Sequence, residues 1–170
     1  VAGVFATPAW DTLLAADIPD LSSIYRPIGG GSSTLPAFLV RNSTAQTDMA
    51  IETEVTLVFN TEILDQGSNF ASNTFTAPIT GNYQISFSVT LTDVDTAMSY
   101  FNLYLVTSNR IYSNYYAPWF TADVSYLCVN LSVLADMDAG DTAVVKFLQS
   151  GGTAQVNAGG AATFSGYLVC

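Results

Sequence analysis

Two stretches of strict alternation organise the chain. In Tyr83-Gln84-Ile85-Ser86-Phe87-Ser88-Val89-Thr90-Leu91 every odd position is apolar and every even one polar, and Leu127-Cys128-Val129-Asn130-Leu131-Ser132-Val133 repeats the alternation. Successive side chains leave a strand on opposite faces, so each run predicts a strand with its odd positions in a core. These runs extend to Tyr83–Thr92 and Val124–Leu134, and β-type runs also occupy Ala37–Arg41, Thr53–Phe59, Phe101–Val106, Thr142–Leu148 and Thr163–Cys170. Clusters of Gly, Asn, Asp and Ser separate them at the tempo of an all-β sandwich, with no internal repeat and no helical domain.

The even positions decide what covers the second face of these strands. Ser86 and Ser88 on one run, and Tyr126, Cys128, Asn130 and Ser132 on the other, are uncharged. Such faces suit contact between identical subunits, because they can be buried without burying charge. Composition agrees: only 11% of the residues are charged, against about 25% in typical soluble domains. The alternative is a monomer with a neutral Ser/Thr/Asn exterior.

Residues 1–34 differ in texture. Pro8, Pro19, Pro27 and the run Gly29-Gly30-Gly31-Ser32-Ser33 break any long element, and a helical turn starting at Asp11 would stop before Pro19. The segment is expected to be an irregular connector ahead of a head domain over 35–170. Leu13 through Gly30 resembles the linkers that join a trimeric shaft to a terminal domain in bacteriophage tail fibres; an ordinary Pro/Gly linker is the alternative. The N-terminus shows no basic region followed by an apolar run, and a start at Val1 fits an excised C-terminal fragment.

Charge and residue inventory remove several function classes. Four basic residues, Arg26, Arg41, Arg110 and Lys146, face fourteen acidic ones for a net charge of −10, so nothing tracks a phosphate backbone and nucleic acid is excluded as a partner. Histidine is absent, which removes His-based triads and zinc sites. Cys128 and Cys170 form no framework or metal pair; both are expected to be reduced, with Cys128 packed as a free thiol. No apolar run approaches the roughly 20 residues of a membrane span. Gly29-Gly30-Gly31 lacks the Lys of a phosphate loop, and nothing marks a nucleophile with its base or a pair of carboxylates, so no enzymatic activity is expected.

Tyr112, Tyr115, Tyr116, Trp119 and Phe120, with Arg110 and Asn114 among them, form the candidate ligand site. Aromatic rings stack on the apolar faces of sugars while Asn and Arg donate hydrogen bonds, here from an expected long loop over Arg110–Phe120. Packing under their own loop or across a subunit seam is an equal alternative, and the alternation Tyr112, Asn114, Tyr116 would send half of them inward. Asp93 and Asp95, two apart on an expected exposed turn, are weak calcium candidates; solvated aspartates are the commoner reading, and no cofactor is expected.

Other residues carry a family likeness. Phe59-Asn60-Thr61-Glu62 and Asn69-Phe70 lead into Phe75-Thr76-Ala77-Pro78-Ile79-Thr80-Gly81-Asn82-Tyr83; Gly140-Asp141 forms a later turn; Phe164-Ser165-Gly166-Tyr167-Leu168 closes the chain. In order and spacing this resembles the tumour-necrosis-factor-like jelly roll, specifically the globular head of the first complement component's q subunit. The resemblance implies a ten-strand jelly-roll sandwich that trimerises with the sheet of first, third and last strands facing the axis. The collagen-like repeats of the complement proteins are missing, so their immune role is not carried over.

Together these readings predict a homotrimeric receptor-binding head at the tip of a bacteriophage tail fibre, outside the cell, joined to an upstream shaft or other virion protein and attaching to a host-surface glycan or protein. The alternatives are a secreted or surface lectin or adhesin of a cell, and a trimerising accessory domain of a depolymerase.

Overall fold

A computed structural model describes residues 35–117 and 120–169. The expected connector, Trp119 and Cys170 lie outside the described residues. Within them the chain is all-β, with twelve strand segments: β1 Ala37–Arg41, β2 Val55–Thr56, β3 Thr61–Gln66, β4 Phe70–Ala71, β5 Thr74–Thr76, β6 Gly81–Val94, β7 Met98–Thr107, β8 Ile111–Tyr116, β9 Val124–Met137, β10 Thr142–Gly151, β11 Asn157–Ala158 and β12 Thr163–Leu168. Three of the twelve, β2, β4 and β11, are two-residue pieces paired to β10, β5 and β6.

Two antiparallel sheets form the sandwich. The first sets β9, β6, β12, β1 and β3 side by side with β11 also on β6; the second sets β4, β5, β10, β7 and β8 with β2 also on β10. The first, third and last strands thus share one sheet, as the resemblance implied. Two readings need correction. Thr53–Phe59 yields only Val55–Thr56 as strand, and the expected loop over Arg110–Phe120 is largely β8, paired with β7 from Val106↔Ile111 to Phe101↔Tyr116. A ladder partner was available in β7, and backbone pairing prevails over the loop-like polarity of these residues.

The alternating runs behave as their period demands. Tyr83, Ile85, Phe87, Val89 and Leu91 are buried, and Leu127, Val129, Leu131 and Val133 belong to or pack against the same core. Phe38 on β1 joins the sheets: its ring stacks on Phe75 of the second sheet at 4.5 Å and meets Phe164 edge-on at 4.9 Å. Space for the ring comes from Gly166, directly opposite on β12, where a Cβ would lie 2.7 Å from Phe38 Cε1. Gly166 is therefore required by a ring as well as by neighbouring backbone.

Hydrogen bonds connect the separated motifs. The Ala77 N–H donates to the Asp141 carbonyl at 2.8 Å and the Gly140 N–H to the Ala77 carbonyl at 2.7 Å, while the buried Tyr83 hydroxyl donates to the Ile79 carbonyl at 2.7 Å. Gly140 takes φ +95°, which other residues resist. Gly81, by contrast, takes no positive φ.

The register defines two ends. At the near end β1 and β6 begin and β12, β9 and β7 finish; at the far end lie the turns after β6, β8 and β10. Gly166→Ala is expected to destabilise the domain by about 1–3 kcal/mol through overpacking against Phe38. Urea denaturation checks this, and an unchanged midpoint would show that the ring has room to move.

Candidate functional site

The aromatic residues singled out from the sequence do not converge. On β8, Tyr112, Asn114 and Tyr116 stand opposite the inward residues Leu105, Leu103 and Phe101, whereas Ile111, Ser113 and Tyr115 face outward. Tyr116 stacks on Phe101 at 4.9 Å, and both Tyr112 and Tyr116 pack against the core; burial raises the Tyr112 hydroxyl above its ordinary pKa. The alternative of inward packing thus describes these two rings. Asn114 Nδ2 donates to the Asn130 carbonyl at 3.2 Å, linking β8 to β9.

Arg110 and Phe120 flank opposite ends of this strand, which at about 3.3 Å per residue spans roughly 20 Å. Arg110 donates three hydrogen bonds to the Asp136 carboxylate at 2.6–3.0 Å. This pairing raises the guanidinium pKa and lowers that of the carboxyl. Of the described candidates, Tyr115 is the one that presents most of its ring to solvent, 67% exposed.

Around Tyr115 lies a constellation that sequence reasoning missed. On the outer face of the second sheet Leu148, Asn102 and Tyr115 form one cross-strand row, and Lys146, Tyr104 and Ser113 form the next. Although they point away from the core, Asn102 and Tyr104 are only 4% and 3% exposed. The Asn102 Oδ1 has no hydrogen-bond partner, and the Tyr104 hydroxyl lies against the Glu54 carboxylate. The Tyr100 and Tyr115 rings meet at 5.5 Å above this strand pair. Lys146 Nζ pairs with Glu54 at 2.9 Å, which holds the Glu54 carboxyl below its ordinary range. Burial, then the Glu54 carboxylate, pushes the Tyr104 hydroxyl far up.

The outer face of the first sheet has a different character. Tyr126, Cys128, Asn130 and Ser132 are exposed as outward residues, correcting the expectation of a packed Cys128 thiol; the period that buries Leu127 and Val129 turns Cys128 outward. The rows run Leu134–Gln84–Tyr167–Ala37 and Ser132–Ser86–Ser165–Leu39 across β9, β6, β12 and β1. No charge interrupts them between Asp136 at the near end and Arg41 at the far end. Their polar groups bond to one another: Gln84 Nε2 donates to Ser132 Oγ at 2.8 Å, Ser86 and Ser165 share a bond at 3.0 Å, and Ser88 contacts Cys128 Sγ at 3.8 Å.

Asp93 and Asp95 are not two exposed aspartates of a turn. Asp95 is 5% exposed, and its carboxylate accepts from the backbone N–H groups of Ala97 at 2.7 Å, Thr153 at 2.8 Å and Ala154 at 3.0 Å. Asp93, still within β6, accepts from Asn157 Nδ2 at 2.7 Å. Nearby, Asp123 Oδ1 accepts from the Thr96 N–H and hydroxyl, both at 2.9 Å. Among the described residues no three groups able to ligate a metal come together. These carboxylates tie the far-end turns to one another through backbone donors. At the near end, Thr80, Asn82, Asn109, Asp136 and Asp138 line an open groove of about 250 Å³.

The family model of the C1q domain matches residues 37–169, from the first strand to just past the last. The chain belongs to the C1q-domain family. Among solved structures, the globular domain of zebrafish complement 1qA protein matches with a TM-score of 0.58 at 19% identity, covering 80% of this chain and 98% of that one. Murine APRIL matches with a TM-score of 0.57 at 10% identity, covering 79% and 99%. At these identities both show the fold alone. No curated protein matches the chain. C1q domains are typically non-enzymatic binding modules.

The Asp95 staple makes a prediction about acid stability in this C1q domain. Backbone donors from Ala154, Ala97 and Thr153 hold its carboxyl below the ordinary value of 3.8. Its stabilisation is therefore full above that value and is lost as the pH falls through the lower folded-state value. Asp95→Asn is expected to lower the denaturation midpoint at neutral pH, with the gap to wild type closing below pH 3.8. A gap of constant size down to pH 2, well below the reference carboxyl range, would contradict the staple.

Proposed function

We propose that this C1q domain is the homotrimeric, non-enzymatic receptor-binding head of a bacteriophage tail fibre, carried on the virion outside the cell and attaching it to a host-surface glycan. The observation that carries the assembly is the outer face of the first sheet. It is free of charge across four strands, its polar groups largely satisfy one another, and Tyr126, Leu134 and Tyr167 stand exposed on it. Burying such a face gains apolar area without stranding charges or hydrogen-bonding groups. Domains of this family commonly form homotrimers that bind ligands, and a three-fold arrangement is the one its members use.

The virion setting is supported by the likeness of Leu13–Gly30 to tail-fibre linkers. The chain enters β1 at the near end, so a shaft would attach there and leave the far-end turns and the second sheet to the receptor. Three copies then convert weak single-site contacts into avidity wherever receptors are dense.

Ser132→Asp places a carboxylate in the middle of the uncharged face of every protomer. Light scattering is expected to report a soluble, folded monomer in place of a trimer, and binding to a dense glycan surface is expected to fall at least a hundredfold through lost avidity. A persisting trimer would contradict the face assignment; retained binding by a monomer would contradict the role of multivalency.

A further inference from the structure

The outer face of the second sheet contains a buried polar atom without a partner, Asn102 Oδ1, and beside it the buried Tyr104 phenol, which lies against the Lys146–Glu54 pair. Leaving a buried donor or acceptor unsatisfied costs about 1–3 kcal/mol, and native structures contain few such groups. Here Asn102 Oδ1 is such an atom, and the Tyr104 hydroxyl, two residues along the same strand and on the same face, has the Glu54 carboxylate as its neighbour. Fold alone does not require them: positions facing away from the core are ordinarily wet, and an outward Asn or Tyr normally reaches water. Their burial comes from neighbours on the same face, with Leu148 and Tyr115 flanking Asn102, and Lys146 and Ser113 flanking Tyr104.

We infer that this face, with Tyr115 and Tyr100 as stacking rings and Asn102 and Tyr104 as hydrogen-bonding groups beneath them, is a binding site for a neutral pyranose ring. The inference rests on the proposed recognition role and names the ligand class and the place. A pyranose presents C–H groups on its faces, which stack on tyrosine, and hydroxyls at its edge, which donate to an amide oxygen and exchange hydrogen bonds with a phenol.

Neutrality follows from the charges on the face. Lys146 and Glu54 are taken up with each other, so no free cation awaits a carboxylate or sulfate, and the net charge of −10 opposes anions. The cover is movable, because Tyr115 is largely exposed and sits on β8, the last strand of its sheet. Rotation of that ring uncovers Asn102 and turns it into the ligand's platform. In a trimer closed through the first sheet, this second sheet stays accessible.

The test uses the full chain and saturation-transfer NMR with the methyl glycosides of glucose, galactose, mannose and N-acetylglucosamine, with methyl sialoside as the acidic comparison. At least one neutral glycoside is expected to receive saturation. Tyr115→Ala is expected to abolish transfer. Tyr104→Phe is expected to weaken binding roughly five- to tenfold, the worth of about one hydrogen bond, while circular dichroism shows the fold intact. Equal transfer in both variants and wild type would overturn this site while leaving glycan recognition elsewhere on the head intact. Transfer to the sialoside alone would overturn the neutral-ligand assignment. No transfer to any glycoside by a folded trimer would overturn both this site and the glycan reading.

Discussion

The ring of Phe38 lies where a side chain on Gly166 would otherwise be, and from there it reaches across the sandwich to stack on Phe75. This contact fixes β1 against β12 and the first sheet against the second. Because side chains alternate with a period of two, a slip of one residue in that pairing would move the core residues of the slipped strand to the surface. The aromatic contact therefore determines the outside of the molecule as well as its core. Once Phe38 and Phe164 face inward, Leu39, Ser165, Ser86 and Ser132 must face outward in one row.

The two outward surfaces that result are chemically unlike. The first sheet offers an uncharged face whose Ser and Gln groups are already bonded within the protomer, which in the proposed assembly suits dry contact with a copy of itself. The second carries the Tyr100–Tyr115 ring pair over the buried Asn102, whose Oδ1 lacks a partner. At the far end, Asp95 and Asp123 hold the turns in place through backbone and Thr donors. The division follows from which groups are satisfied, more than from how polar each face is.

Much of this was legible in the chain. The parity of Tyr83–Leu91 and Leu127–Val133 gave the buried residues, and the Phe75–Tyr83 motif with Gly140-Asp141 and Phe164–Leu168 gave the jelly roll, since those segments touch in the fold. Strand β8 was half legible: the alternation of Tyr112, Asn114 and Tyr116 gave the inward side chains, but the polar Ser113 and Asn114 among the rings read as a loop. Strand β3 was missed because Thr61–Gln66 lies at a sheet edge with three of its six residues exposed and none fully buried. Asp95 reads as a solvated turn residue, and its donors at Thr153 and Ala154 come from a turn remote in sequence. The burial of Asn102 and Tyr104 was hidden for a related reason: alternation assigns a face, but the neighbours that cover that face come from β8 and β10.

The central claim is that the first sheet is covered by other copies of the chain while the second stays open to solvent. Hydroxyl-radical footprinting of the native protein reads both faces at once, because the isolated protomer exposes Tyr126 by 75% and Tyr115 by 67%. The account predicts that Tyr115 is oxidised readily while Tyr126 and Tyr167 are protected. Oxidation of Tyr126 and Tyr167 as fast as that of Tyr115 would contradict it.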